Sequence, residues 1–249
     1  MPIEIGQHNR EIRANAEHWR RKPLLQEIYR DFYAEIAGEL RRDLPGQTVE
    51  IGSGIGNLKT VVPEALATDI FPNPWLDRVE NAYWLSFADD SIANLILFDV
   101  WHHLQYPGTA LAEFRRVLIP EGRLIIFDPA MGFLGRIVYG LFHHEPLGWR
   151  EDISWWAPPD FSPDAMTYYA AQANAHRIFV SGECAARLGD WRMVRRRLLA
   201  GLSYVASGGF SGPQLYPQSL LPVFRVVDRL ANLLPAIFAT RLLVSLEKK

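Results

Sequence analysis

The sequence contains almost no cysteine, since Cys184 is the single one among 249 residues. One cysteine forms no intrachain disulfide and supplies no thiolate cluster for a metal. The first 22 residues are charged throughout and lack the apolar core of a signal peptide. Together these absences predict a cytoplasmic protein in a reducing compartment.

Long uncharged segments and a dominant charge sign are also missing. The longest uncharged stretch, residues 198–224, contains Ser-Gly-Gly, Ser-Gly-Pro and two further prolines. It therefore predicts no continuous membrane-spanning helix, and no integral membrane segment is expected. Lys and Arg number 26 against 28 Asp and Glu, a formal net charge of −2. Proteins that bind nucleic-acid phosphates need a basic face, so this balance argues against a nucleic-acid partner.

The composition that is present is typical of a globular enzyme-sized chain, with 49% hydrophobic and 22% charged residues. The length fits one large domain, or one domain with an insertion. We expect an N-terminal helical cap over residues 1–47 and a main domain over residues 48–249. Residues 130–190 are rich in Trp, Pro, His and Tyr without a clear period, and are predicted to form a substrate-binding insertion.

Hydrophobic periodicity divides the chain into alternating elements. Helical spacing of apolar residues predicts helix over residues 9–42, interrupted at Pro23. Buried strands are predicted at 49–51, 66–68, 94–98 and 123–127, with a helix at 109–118 that Pro120-Glu121-Gly122 ends. Strand-like segments return at 191–202 and 240–246. This alternation predicts an α/β fold, a parallel sheet with helices on both faces.

An apolar helix is predicted at about residues 220–234. Its face of Val and Leu residues is interrupted only by Arg225, Asp228 and Arg229. We expect this face to pack on the sheet, while peripheral contact with a membrane, or with a partner, stays open as an alternative.

The most informative stretch is Val49-Glu50-Ile51-Gly52-Ser53-Gly54-Ile55-Gly56. It is an apolar strand with an acidic residue near its end that opens into a Gly-x-Gly-x-Gly turn. Glycines permit a tight strand-to-helix turn and let a ligand lie against the backbone. Asp69 follows Gly52 by seventeen residues at the end of the second strand, where a carboxylate can bind ribose hydroxyls.

Two nucleotide cofactors compete for this motif. The dinucleotide fingerprint G-x-G-x-x-G needs a third glycine where this chain has Asn57, and no Tyr-x-x-x-Lys pair is present. Glu50 suits a cationic group better than a pyrophosphate. A ligand with an ammonium and a sulfonium group therefore fits better than a nicotinamide cofactor.

Residues 48–129 resemble a class I S-adenosylmethionine-dependent methyltransferase, similar to the small-molecule group that includes the ubiquinone-pathway enzymes. The resemblance rests on the stretch above and on four further segments in the same order. These are Ala67-Thr68-Asp69-Ile70, residues 81–91, Val100-Trp101-His102-His103-Leu104 and residues 113–122. It implies a doubly wound, Rossmann-like, seven-stranded and mostly parallel sheet with helices on both faces.

The resemblance also implies roles for individual residues in binding S-adenosyl-L-methionine. Glu50 and the loop Gly52, Ser53, Gly54 and Gly56 would hold the methionine part. Asp69 would bind the ribose, with Ile70 beside the adenine. Asn81 and Ala82 stand where the family commonly has Asp-Ala near the adenine amine, and Phe98 would line the methyl-donor pocket through its backbone.

The predicted catalytic residues are His103, His102 and Asp99, which follow the fourth strand. A histidine can act as general base near neutral pH, and adjacent residues on a helix point to different faces, so we expect at most one to reach the acceptor. His143, His144 and Glu145, taken together with His102 and His103, are acceptable metal ligands, but no spacing such as HExxH supports a metal site, so no metal is expected.

The expected activity is methyl transfer to an O, N or C atom of a small-molecule acceptor, including lipid or sugar-type metabolites. A non-catalytic cofactor-binding or interaction protein on the same fold is the alternative. The sequence does not determine the oligomeric state.

Overall fold

The computed structural model of the chain describes residues 5–163 and 168–249. Seven strands form one sheet in the order β3–β2–β1–β4–β5–β7–β6. Strands β1 to β5 run parallel, and β7 lies antiparallel to both β5 and β6. The strand bounds are β1 Gln47–Ile51, β2 Leu66–Asp69, β3 Arg78–Val79, β4 Ile92–Phe98, β5 Leu118–Pro129, β6 Trp191–Leu199 and β7 Arg241–Lys248.

Eight helices accompany the sheet in the described residues. They are α1 Ile5–Arg21, α2 Pro23–Ala37, α3 Pro107–Val117, α4 Phe133–Leu141, α5 Asn174–Phe179, α6 Leu202–Ala206, α7 Leu221–Ala231 and α8 Pro235–Phe238. Pro23 is the first residue of α2, because a proline lacks the N–H that a first-turn position leaves unpaired. None of these helices is long and apolar enough to cross a bilayer.

Helices cover both faces of the sheet, which confirms the predicted fold class. One core cluster joins alternate strand residues such as Leu95 and Leu124 to the buried side chains of α3 and α5. The other joins Ile96, Ile125 and Phe127 to α2 and α6. The alternation follows from the two-residue period of a strand, which sends successive side chains to opposite faces.

Two local expectations differ from the structure. Pro120-Glu121-Gly122 lies inside β5. The register between β4 and β5 shifts at this point: Ile92 pairs with Leu118, and the next pair is Asn94 with Arg123. The glycine turn after β1 leads only into one 3₁₀ turn, Asn57–Thr60, because Pro63 soon follows and β2 begins at Leu66.

The expectation that the apolar face of residues 220–234 packs on the sheet is wrong. Arg225 of α7 forms an ion pair with Asp31 of α2, and Asp228 accepts hydrogen bonds from the backbone of Leu202 and Ser203 in α6. The polar side of α7 therefore faces the protein, where α2 and α6 already cover the sheet. The apolar side is exposed, with Val223, Val226, Val227, Leu230, Leu233 and Leu234 between 39% and 75% accessible.

Candidate active site

Parallel strands bring their carboxyl ends to one edge of the sheet, and the predicted site residues lie along that edge. Asp69 ends β2 and Asp99 follows β4, while Glu50 and Asp128 are the next-to-last residues of β1 and β5. Ligands of open α/β sheets bind outside this edge, where the strand order reverses between β1 and β4.

The glycine turn after β1 uses left-handed backbone that side chains rarely adopt. Gly52 has φ 71°, and a Cβ there would lie 2.3 Å from Cγ2 of Val100 in the loop after β4. Gly54 has φ 55°, and among the described residues a Cβ there would meet only Cδ1 of Ile12, at 3.6 Å. Gly52 thus lets two loops approach, whereas Gly54 leaves room for a ligand beneath α1.

Ser53 fixes this turn to β2. Its hydroxyl donates to the carbonyl of Glu50 at 3.1 Å and accepts from the N–H of Thr68 at 2.9 Å. The Asp69 carboxylate accepts from the N–H groups of Gly54 at 2.9 Å and Ile70 at 2.7 Å. Asp69 therefore ties the turn and the second strand together at the place where a ribose would lie.

Glu50 is a buried carboxyl beside this turn. Only 4% of the residue is accessible, and burial raises its pKa to about 8. Its Oε2 atom is buried and has no hydrogen-bond partner among the described residues. A cationic group placed there would favour the ionised carboxylate and complete its bonding.

The remaining predicted cofactor residues are near this end of the sheet but are engaged locally. Asn81 accepts the N–H of Tyr83 at 3.0 Å and donates to the carbonyl of Pro163 at 2.9 Å. Ala82 is buried in the core, and the Phe98 ring stacks on Phe127. Their roles toward an adenine and a methyl donor stay predictions.

His102 and His103 lie in a 3₁₀ turn, Trp101–His103, after β4. Contrary to the expectation that they diverge, their ring centroids are 4.1 Å apart, because this turn is not a regular α-helix. Nδ1 of His102 lies 3.1 Å from Oδ1 of Asp128, and Nδ1 of His103 lies 2.9 Å from the carbonyl of Tyr169. Since both partners only accept, each Nδ1 carries the proton and donates it.

Glu145 joins the two histidines from the segment after α4. Its oxygens lie 3.5 Å from Nε2 of His102 and 3.7 Å from Nε2 of His103. Tyr168 and Gln172 also donate hydrogen bonds to this carboxylate. We call His102, His103, Asp128 and Glu145 the histidine–carboxylate cluster.

The two histidines carry different charges. Burial alone lowers the pKa of His102, but the carboxylates of Asp128 and Glu145 outweigh it and raise that pKa to about 10. Burial and the adjacent His102 lower the pKa of His103 to about 4. At neutral pH, in the absence of other ligands, His102 is an imidazolium, whereas His103 is neutral and keeps a lone pair on Nε2.

Asp99, the third predicted catalytic residue, forms an ion pair with Arg241. Arg241 is 2% accessible, lies at the start of β7, and has its guanidinium carbon 4.4 Å from the ring centre of Tyr204. This pairing gives the Asp99 carboxylate a buried counter-ion, and its catalytic role stays a prediction.

Sequence reasoning assigned no role to Arg241, Asp128 or Tyr169 toward the predicted catalytic residues. Each of these residues is 26 to 142 positions away in the sequence from the predicted catalytic residue that it contacts. Only Asp128 carried a local signal, since a polar residue that ends a buried strand of a parallel sheet lies at the ligand-binding edge.

The donor set fits S-adenosylmethionine. The unpartnered Glu50 oxygen suits its ammonium, Gly54 leaves space for the chain of the ligand, and Asp69 lies where ribose hydroxyls would bind.

Comparison with known proteins supports this fit. Residues 49–126 match the profile of the methyltransferase domain family. A Thermotoga maritima structure, described as a SAM-dependent methyltransferase and possible histamine N-methyltransferase, superposes with a TM-score of 0.53 at 14% identity, covering 94% of this chain and 96% of that one. A SAM-dependent methyltransferase from Archaeoglobus fulgidus gives 0.52 at 13% identity, with 90% and 94% covered.

A third structure, geranyl diphosphate methyltransferase in complex with GPP and sinefungin, gives a TM-score of 0.51 at 12% identity, with 88% and 77% covered. No curated protein sequence matches this chain. The family profile over residues 49–126, the strand order and the glycine turn with its buried carboxyl agree: this part of the chain is a methyltransferase domain, and the chain has the fold of these S-adenosylmethionine-dependent methyltransferases.

Proposed function

We propose that the enzyme methylates an O, N or C atom of an amphiphilic small-molecule acceptor, of the lipid or lipid-linked sugar type. The observation that carries this proposal is the outward apolar side of α7. A surface helix of a globular protein normally turns its polar side to water, and this one does the reverse.

The exposed apolar surface extends beyond α7. Phe133, Leu141 and Phe142 in and after α4 are 65–81% accessible, and Ile237 of α8 is 45% accessible. Helices α4 and α8 contact each other, and α8 leads directly into β7. We call the exposed apolar residues of α4, α7 and α8 the apolar surface. Large exposed apolar areas mark contacts with membranes, proteins or apolar ligands.

The apolar surface adjoins the active-site edge. Helix α4 follows the end of β5, and the N–H of Gly132 donates to the carbonyl of Ala239 at 3.1 Å. On α7, Asp228 points into the protein, so Arg229 is the exposed charge on that helix. An apolar surface with exposed arginines, Arg229 and Arg136, matches an anionic lipid interface.

Residues 130–190 supply the acceptor side of the site in this proposal. Glu145 and the carbonyl of Tyr169 both lie in this insertion and contact the histidines after β4. S-adenosylmethionine, when bound, supplies the methyl group as a sulfonium. The chain orients cofactor and acceptor, which in well-aligned cases is worth about 7–11 kcal/mol. His103 meets the acceptor, because its side chain is 34% accessible and its Nε2 lone pair is free.

The experiment uses methyl-labelled S-adenosylmethionine and a cell extract divided into lipid, water-soluble, RNA and protein fractions. We expect enzyme-dependent label in the lipid fraction, and none with Gly54→Ala as the inactive control. Label confined to RNA or protein contradicts the proposal.

A second experiment tests the surface itself by co-sedimentation with vesicles of anionic phospholipid. The wild type should bind, and Leu230→Glu with Leu233→Glu should not. Trp84→Ser removes an equally exposed apolar side chain at the opposite end of the sheet and should bind like the wild type. A wild type that stays in the supernatant at low salt excludes the lipid interface.

A further inference from the structure

We propose that His102, His103 and Glu145 bind a divalent transition-metal ion of the Zn²⁺ type at the acceptor side of the active site. The sequence analysis expected no metal because the spacing of HExxH is missing. The structure brings the three side chains together across 42 residues of sequence. The first argument is the position of the three ligand atoms.

The ligand atoms converge. Nε2 of His102, Nε2 of His103 and a Glu145 oxygen lie within 4.8 Å of one another. The two nitrogen–oxygen separations are 3.5 and 3.7 Å. Ligands about 2.0–2.2 Å from a tetrahedral Zn²⁺ lie about 3.4 Å apart, so one ion can reach both pairs with small side-chain movements.

Both imidazoles are oriented as metal ligands. Each donates its Nδ1 proton, one to the Asp128 carboxylate and the other to the Tyr169 carbonyl. In metal sites the second nitrogen of a ligating histidine almost always donates to a carboxylate or a backbone carbonyl, which fixes the tautomer and aims Nε2 at the ion. This chain supplies one of each, and both Nε2 atoms face the same carboxylate.

The charges also favour a cation. In residues 5–163 and 168–249 the carboxylates of Asp128 and Glu145 form ion pairs only with histidines, and no lysine or arginine reaches either one. Oδ2 of Asp128 and Oε1 of Gln172 are buried acceptors without a hydrogen-bond partner. The Glu145 carboxylate and two imidazoles match the mixed N and O ligand set that Zn²⁺ accepts, and Asp128 adds negative charge behind His102.

Three protein ligands leave a coordination position open, as in catalytic zinc sites. An acceptor hydroxyl or amine bound there would be held beside the active-site edge and would lose its proton more easily. In this arrangement the Nε2 lone pair of His103 coordinates the ion and does not take the proton itself. This last step rests on the proposed function, whereas metal binding does not.

The test is calorimetric titration of the metal-free full-length protein with Zn²⁺, followed by the visible spectrum of the Co²⁺ form. We expect one ion per chain and the absorption of a tetrahedral Co²⁺ site. His103→Ala and Glu145→Gln should each weaken binding at least tenfold. Circular dichroism of the metal-free variants checks that they are folded.

Two more variants separate this site from surface binding. Asp128→Asn should keep the site but weaken it about 10–100-fold, since it changes only the partner of His102. His144→Ala is the matched control, because His144 is exposed and offers no ligand atom to the group. The inference is overturned if the wild type binds no Zn²⁺, or if His144→Ala abolishes binding while His103→Ala does not. Titrating S-adenosylmethionine into the metal-free protein shows separately whether the methyltransferase account holds.

Discussion

The buried carboxyl of Glu50 is suited to binding a cationic ligand, but its burial lowers the stability of the ligand-free protein when it ionises. Its place before a glycine turn was readable from sequence, because strand, acid and turn are contiguous. Its unpartnered oxygen was not readable, since burial depends on packing of residues far along the chain. A carboxyl kept in a low-dielectric site without a partner is costly to ionise.

The pH dependence of stability tests this burial. The pKa of Glu50 is raised from 4.5 to about 8, so between those values the folded protein holds a proton that the unfolded chain has released. Stability of the ligand-free protein should therefore fall as pH rises through this window. Glu50→Gln should remove that loss, worth at most about 5 kcal/mol at pH 8.5.

Thermal melting of both proteins from pH 4.5 to 9 measures the effect. The two melting curves should diverge in favour of Glu50→Gln as pH rises, while the variant binds S-adenosylmethionine more weakly. A constant difference between them over the whole range would show that Glu50 is not the titrating group.

The Asp99–Arg241 pair gives a second prediction at the residue scale. Removing the acidic partner leaves the buried guanidinium of Arg241 without its counter-ion, so Asp99→Asn should cost about 3–5 kcal/mol of unfolding free energy. Arg192→Met is the control, since Arg192 is 63% accessible in its pair with Glu247 and should cost less than about 1 kcal/mol. Urea unfolding compares them, and equal losses would contradict the structural role given to the pair.

At the scale of elements, two glycines of the same turn have different functions, which the sequence motif alone does not distinguish. Gly52 is needed for folding, and Gly54 leaves space for the cofactor. Gly52→Ala places a Cβ 2.3 Å from Val100 and should destabilise the fold as well as abolish cofactor binding. Gly54→Ala meets only Ile12 at 3.6 Å, so its folding cost should stay near the about 1–2 kcal/mol of left-handed backbone.

Melting temperature and S-adenosylhomocysteine binding are measured for both variants. Loss of binding with near-normal stability is the outcome expected for Gly54→Ala alone. If Gly54→Ala binds as the wild type does, the space above Gly54 is not part of the cofactor site.

Strands and helices were largely predictable at this scale, whereas contacts between them were not. Residues 94–98 and 123–127 form β4 and β5 because short apolar runs between turn signals favour buried strands. The contact of His102 with Glu145 has no signal in their spacing, since it depends on where the segment after α4 lies relative to the turn after β4. The amphipathic pattern likewise predicted α7 but not which of its sides faces the protein. The polar side faces inward because Arg225 and Asp228 bind partners on α2 and α6.

At the scale of the whole molecule, the apolar surface is a feature of function rather than of folding. Leu230 is 62% accessible, so Leu230→Ser should change the unfolding free energy by less than about 0.5 kcal/mol. Leu25 is a fully buried residue of α2, and Leu25→Ala should cost about 2–5 kcal/mol in the same urea titration. A loss of more than about 2 kcal/mol for Leu230→Ser would mean that α7 packs inward as first expected.

The whole account depends on where the cofactor binds. Calorimetric titration of the purified protein with S-adenosylmethionine and S-adenosylhomocysteine, alongside Asp69→Ala, tests this most directly. We predict one site per chain in the wild type and a loss of at least tenfold in affinity for the variant, because Asp69 fixes Gly54 and is the residue predicted to bind the ribose. Absence of binding of either ligand to the folded wild type would contradict the account.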